Sequence, residues 1–137
     1  LFIGFTYDNA AKSAAMLLSR RGGSGVERRA DSVHRRYFSV RDGFPAYLGR
    51  EIAAAAGMRG KTLLRVGGLT AALGKLFLQL DATLLETNPL ALLANGDLVV
   101  LDVHLQLDDD ALFRHNDLVE RFQLADRSQR PRSDFER

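Results

Sequence analysis

Cysteine is absent from the 137 residues, so disulfides, thiolate metal sites and catalysis by a thiol are excluded. Long apolar runs are missing too: none approaches the ~20 residues of a membrane span, and no secretory hydrophobic segment opens the chain. The expected compartment is the cytoplasm, or the mitochondrial matrix in a eukaryote. Catalytic signatures are scarce. There is no Gly-x-Ser-x-Gly elbow, and His34, His104 and His115 are not associated with any serine motif. The Gly22-Gly23-Ser24-Gly25 segment lacks the lysine and spacing of a phosphate-binding loop and reads as a surface turn. Charge is nearly balanced, 19 basic against 17 acidic residues. The arginines at 20, 21, 28, 29, 35 and 36 have few aromatics between them, which suits a solvated face better than a nucleic-acid surface. Internal repeats are not apparent.

What is present is the material of one domain, with 46% hydrophobic and 26% charged residues. The chain begins at Leu1 without a methionine and enters an apolar run at once, as a piece of a longer polypeptide would. Leu1 to Tyr7 is rich in aromatic and branched residues and predicts a strand, Asp8-Asn9 a turn, and Ala14 to Ser19 a returning antiparallel strand. A short strand is expected at Tyr37 to Val40. Pro45 suits a first helical turn, followed by a helix over Tyr47 to Met58 that Gly57 or Gly60 ends. Val66, Leu69, Leu73, Leu76, Phe77 and Leu80 recur every three or four residues and predict a second helix with one apolar stripe. Gly67, Gly68 and Gly74 weaken that helix or let a neighbouring backbone come close. A last helix is expected from about Ala111 to Leu124, N-capped by Asp110 and packing through Leu112, Phe113, Leu118 and Phe122. Strands, two helices, a hairpin and a final helix give an α+β domain on a mainly antiparallel sheet, packed with helices. From Asp126 the composition is that of a linker or frayed end.

The richest segment is the hairpin from Leu84 to His104. If Ala94-Asn95-Gly96 is a three-residue loop with Gly96 left-handed, Leu92 pairs with Leu98, Leu90 with Val100, Asn88 with Asp102 and Glu86 with His104. A two-residue Asn95-Gly96 turn would slip the register by one and turn one strand over. With the three-residue loop, one face is apolar near the turn and polar at its far end, as in a buried sheet surface opening into a site.

A carboxamide opposite a carboxylate, with Glu86 two residues away, offers hard oxygen ligands of the kind magnesium takes together with phosphate oxygens, which points to phosphoryl transfer. Spacing alone favours instead a structural account in which Asn88 caps the turn before Pro89 and Asp102 pairs with an arginine. His104 beside carboxylates is too little for a zinc site or a general base, and His34 and His115 have no visible partners. Glu86 and Asp102 are the only carboxylate pair with a case for glycoside hydrolysis.

Glu86-Thr87-Asn88-Pro89-Leu90, Asn95-Gly96-Asp97-Leu98, Leu101-Asp102 and Asp108 through His115 resemble, in order and spacing, the ATP-grasp domain of succinyl-CoA synthetase β subunits, with malate-CoA ligase β subunits and ATP-citrate lyases as close relatives. The likeness extends upstream through Leu1 to Gly4, Ser19 with Gly22-Gly23, and Tyr47 to Gly57. It implies that residues 1–125 are the C-terminal subdomain of an ATP-grasp domain and 126–137 a linker, through Arg130-Pro131-Arg132, toward an absent CoA-ligase domain. It further implies Mg2+ held by Asn88 and Asp102, Glu86 beside the transferred phosphoryl group, His104 facing a bound ATP or GTP, and an α-subunit partner carrying a phosphohistidine. CoA and a carboxylic acid would be handled by other domains, and the isolated chain would be inactive. Departures are Arg21 and Gly25 where the family has acids, Asp110 for asparagine, Val103 for a small residue and His104 for lysine. Lysine is charged throughout at neutral pH, whereas an imidazole is largely uncharged there, so the site would be less cationic. The resemblance thus implies either a weakened enzyme or a non-catalytic module kept for subunit contacts.

Overall fold

The computed structural model describes residues 1–23 and 33–124; the expected linker, and the stretch holding Gly25, Arg28 and Arg29, lie outside them. Seven strands and three α-helices follow in order: β1 (Phe2–Asp8), β2 (Ser13–Ser19), β3 (Val33–Phe38), α1 (Ala46–Ala55), α2 (Gly60–Gln79), β4 (Ala82–Thr87), β5 (Leu90–Leu92), β6 (Leu98–Val100), β7 (Val103–Leu107) and α3 (Asn116–Phe122), the last preceded by a 3-10 helix over Asp109–Arg114. Five strands form one antiparallel sheet in the order β3-β2-β1-β4-β7, and β5 and β6 form a separate ribbon. Antiparallel sheet packed with helices is the α+β architecture expected. The third strand starts earlier than expected, at Val33.

One sheet face carries the core. Alternate residues Ile3, Phe5, Met16, Leu18, Phe38 and Leu85 point into it and meet Ile52 and Ala53 of α1 and Val66 and Phe77 of α2. At its centre the Phe5 ring meets Phe44 edge-on at 5.1 Å and Phe77 at 5.8 Å, and Phe44 meets Phe38 at 5.1 Å. Aromatic side chains in such edge contacts add to the burial of apolar area.

The glycines of α2 explain how its two neighbours fit. A side chain at Gly74 would meet Phe44 Cβ at 2.7 Å, and one at Gly49 would meet Thr70 and, at 2.8 Å, the Gly67 carbonyl. So α1 and the Phe44 loop rest on backbone, which only glycine permits at that distance. The buried face of α2 is Val66, Gly67, Thr70, Gly74 and Phe77; Leu69 and Leu73 pack at its margin and Leu76 is exposed. The apolar stripe is therefore rotated toward the small residues.

The final helix departs most from expectation. Asp108, not Asp110, caps the segment by accepting the Asp110 N–H at 3.0 Å. The helix breaks at His115 into a 3-10 helix and a seven-residue α3. Phe113 and Phe122 stay exposed, and only Ala111 is buried there. The segment is fastened to one residue: Asp81, at a left-handed φ of 47°, forms an ion pair with Arg114 and a hydrogen bond with the His115 ring, at 2.9 Å each, while its carbonyl accepts the Asp108 N–H at 2.9 Å. His115 thus has a partner that sequence did not reveal.

At the β1–β2 turn, Asp8 accepts the Ala10 and Ala11 N–H groups at 3.0 Å each with one oxygen, and Tyr37 Oη at 2.8 Å and Arg35 at 3.2 Å with the other. The Ala11 amide, then the Tyr37 hydroxyl, hold its carboxyl below the usual carboxylate range. Its contribution to stability is present above that range and lost as pH falls through the lowered folded value. Denaturant melts of Asp8→Asn should show a deficit at neutral pH that closes in strong acid. The same measurement should show Gly74→Val costing about 1–3 kcal/mol by overpacking. Gly68→Ala, at a helical position with open space around it, should gain up to about 1 kcal/mol.

Candidate functional site

The turn at Gly96 decides where the polar residues lie. Leu93 donates to Asp97 O at 2.8 Å, Gly96 donates to Leu93 O at 2.9 Å, and Gly96 adopts φ 84°, so the loop has three residues as expected. Leu92 pairs with Leu98 and Leu90 with Val100 in the β5–β6 ribbon, and Glu86 pairs with His104 and Thr87 with Val103 between β4 and β7. One register runs through both sheets.

It is nonetheless interrupted. Pro89 has no N–H to give, and its peptide with Asn88 is cis. Across the break Asn88 N–H donates to Asp102 O and Leu101 N–H to Pro89 O, both at 3.1 Å, while Leu90 N–H turns away to Leu1 O at 2.8 Å. Asn88 and Asp102 therefore face each other at the point where the hairpin leaves one sheet for the other. The apolar half is less buried than the pattern suggests: Leu90 lies in the core, but Val100 and Leu92 are exposed.

Glu86 occupies a row with Gly4 on one side and His104 on the other. A side chain at Gly4 would meet the tip of the Phe2 ring at 3.0 Å, so the ring of Phe2 lies over Gly4 beside Glu86. The Asn88 carboxamide donates to Glu86 Oε1 at 3.0 Å and to Gly23 O at 3.4 Å, and its Oδ1 accepts the Gly23 N–H at 2.6 Å. Asp102 is exposed, and its carboxylate accepts only the Val103 N–H, at 2.8 Å, among the described residues. His104 is exposed, and its ring makes no hydrogen bond among them.

The structure thus brings Glu86 and Asn88 into contact, sets Asp102 opposite Asn88 through the backbone, and sets His104 opposite Glu86. The side chains of Asn88 and Asp102 are not bonded to one another. Among the described residues neither half of the structural account for them appears: Asn88 is held by Gly23 and Glu86, and the hairpin's arginine contact there goes to Asp97, which Arg65 meets at 2.6 Å. Gly23 is the participant that sequence reading passed over as a surface turn. Its only signal was the place of Gly22-Gly23 within the family pattern.

Among the described residues no group of three or more histidine and carboxylate side chains is placed to hold a metal, which disfavours zinc at His104. Two carboxylates and a carboxamide oxygen at one sheet end suit magnesium, which takes few protein ligands and completes its shell with water and phosphate oxygens. No helix among the described residues is long and apolar enough to cross a membrane.

A family model described as ATP-grasp domain matches residues 1–92. The chain is 34% identical over 134 residues to the succinate–CoA ligase (ADP-forming) subunit beta of Myxococcus xanthus, covering 95% of this chain and 35% of that protein. It is 33% identical over 123 residues to the succinate–CoA ligase (GDP-forming) subunit beta of Thermus thermophilus, covering 87% and 32%. The chain spans about a third of the length of these curated relatives. The ATP citrate lyase of Methanothrix soehngenii, solved in complex with citrate and coenzyme A, aligns over 90% of this chain and 27% of its own at a TM-score of 0.52 and 20% identity, a likeness of fold. With the family model covering more than half of its residues, and with the antiparallel sheet and helices that this fold requires, the chain belongs to the ATP-grasp domain family.

Proposed function

We propose that this chain supplies the metal- and phosphate-facing part of the nucleotide site in a succinate–CoA ligase β-like protein. The observation that supports this most directly is the shared register, carried across the break at Pro89, that collects Glu86, Asn88, Asp102 and His104 at one end of β4 and β7. Asn88 and Asp102 would hold Mg2+, which beside an ATP or GTP neutralises charge on the transferred phosphoryl group. Glu86, bonded to the Asn88 carboxamide through one carboxylate oxygen, keeps that side chain in place. The Phe2 ring lies over Gly4, the residue paired with Glu86. His104 faces the phosphates as a hydrogen-bonding group without a fixed charge.

The wider reaction would pass the phosphoryl group to a histidine of an α-subunit partner, with CoA and a carboxylic acid handled by other parts of the assembly. This rests on the relatives' descriptions and on the motifs shared with them. Residues 126–137 would lead toward those parts. Nucleotide lysine and purine contacts fall in the remainder of the ATP-grasp domain, so the isolated chain is expected to be inactive.

Isothermal titration of the parent protein with magnesium nucleotide tests the ligand set. Asn88→Ala and Asp102→Ala should each weaken binding at least on the order of tenfold, and undiminished affinity in both would remove these residues from the site. His104→Lys combined with Arg21→Glu and Gly25→Glu should raise succinate–CoA ligase turnover. Complete absence of turnover before and after would favour a non-catalytic subunit-contact module instead.

A further inference from the structure

We infer that Gly23 is a positioning residue: its backbone N–H and carbonyl together clamp the Asn88 carboxamide so that one lone pair of Oδ1 is left for a cation. The inference rests on the reading of Asn88 as a metal ligand and names what orients it.

A carboxamide has two N–H donors and two acceptor lone pairs. Both donors of Asn88 are used, toward Glu86 Oε1 at 3.0 Å and Gly23 O at 3.4 Å, and one lone pair accepts the Gly23 N–H at 2.6 Å. A single lone pair remains. Were the amide turned over, its NH2 would face the Gly23 N–H, while its oxygen would face the Gly23 carbonyl and the Glu86 carboxylate. All three contacts would repel. The two-point contact with the backbone of one residue therefore selects the orientation in which oxygen, not nitrogen, is offered to a cation. A metal ligand held by its outer neighbours is bound more tightly than one free to rotate, because less freedom is lost on binding.

The two glycines divide this work. A side chain at Gly22 would collide with the Leu1 carbonyl and meet Pro89 Cβ at 3.2 Å, so Gly22 allows the strand end to lie against the hairpin. At Gly23 a side chain would meet nothing within 4 Å, but the backbone sits at φ 94°. The requirement there is conformational rather than steric. At this positive φ both the N–H and the carbonyl of Gly23 reach Asn88, and glycine adopts that conformation without strain.

The test uses the parent protein, Mn2+ as probe followed by electron paramagnetic resonance, and thermal midpoints to confirm folding. Gly23→Val, which resists positive φ, should weaken Mn2+ binding about 10- to 100-fold, whereas Gly23→Asn, which tolerates it, should stay within about threefold of the unsubstituted protein. A second readout needs no metal: in this chain the Gly23 amide proton should exchange slowly, and Asn88→Ala should release it without lowering the thermal midpoint. If Gly23→Val binds Mn2+ normally while Asn88→Ala does not, the clamp is wrong and the site reading stands. Normal binding by Asn88→Ala removes both. Should Gly23→Val fail to fold, a fast-exchanging Gly23 amide in the unsubstituted chain still overturns the clamp, and a protected one released by Asn88→Ala supports it.

Discussion

An antiparallel ladder cannot slip by one residue without turning a strand's side chains to the other face, and the polar end of this domain depends on that rule. The left-handed Gly96 closes the loop at three residues, and the register it sets is kept from Thr87 back to Leu84 of β4, shifting only at Ala82, although Pro89 contributes no N–H. The interruption is useful chemically. Where the ladder changes sheets, Asn88 and Asp102 are paired by backbone alone, and neither side chain is spent on the other: that of Asn88 goes to Gly23 and Glu86.

The opposite face of the sheet answers to packing rather than pairing. Phe5, Phe38, Phe44 and Phe77 fill the space between strands and helices. The helices come close enough to enclose them because glycines on α1 and α2 expose backbone to one another. Rigid support of this kind lets a site built on strand ends hold its geometry. β4 carries both duties, with Leu85 turned into the core and Glu86 turned away from it.

How much of this the residues revealed follows the range of the interactions. The hairpin register was legible because a glycine turn and period-two alternation are local signals, and the first strands and two long helices were legible for similar reasons. The helix after Asp108 was misread because the choice between Asp108 and Asp110 as cap, and the break at His115, depend on Asp81, 27 residues from Asp108 in sequence. Gly23 was misread for the same cause: its partner is 65 residues away. The stripe of α2 was found but rotated, since periodicity locates apolar side chains and says little of where bare backbone will be pressed against a neighbour.

Asp81 also divides the molecule into two regimes of cohesion. The sheet and its helices are held by buried hydrocarbon, which ordinary salt scarcely affects, whereas the run from Asp109 to Phe122 is moored by one carboxylate to an arginine and an imidazole. The Arg114–Asp81 ion pair is partly open to solvent and weakens as the Debye length shortens. Ionic strength therefore acts on this run selectively, loosening it while leaving Glu86 and Asn88 where the strands hold them.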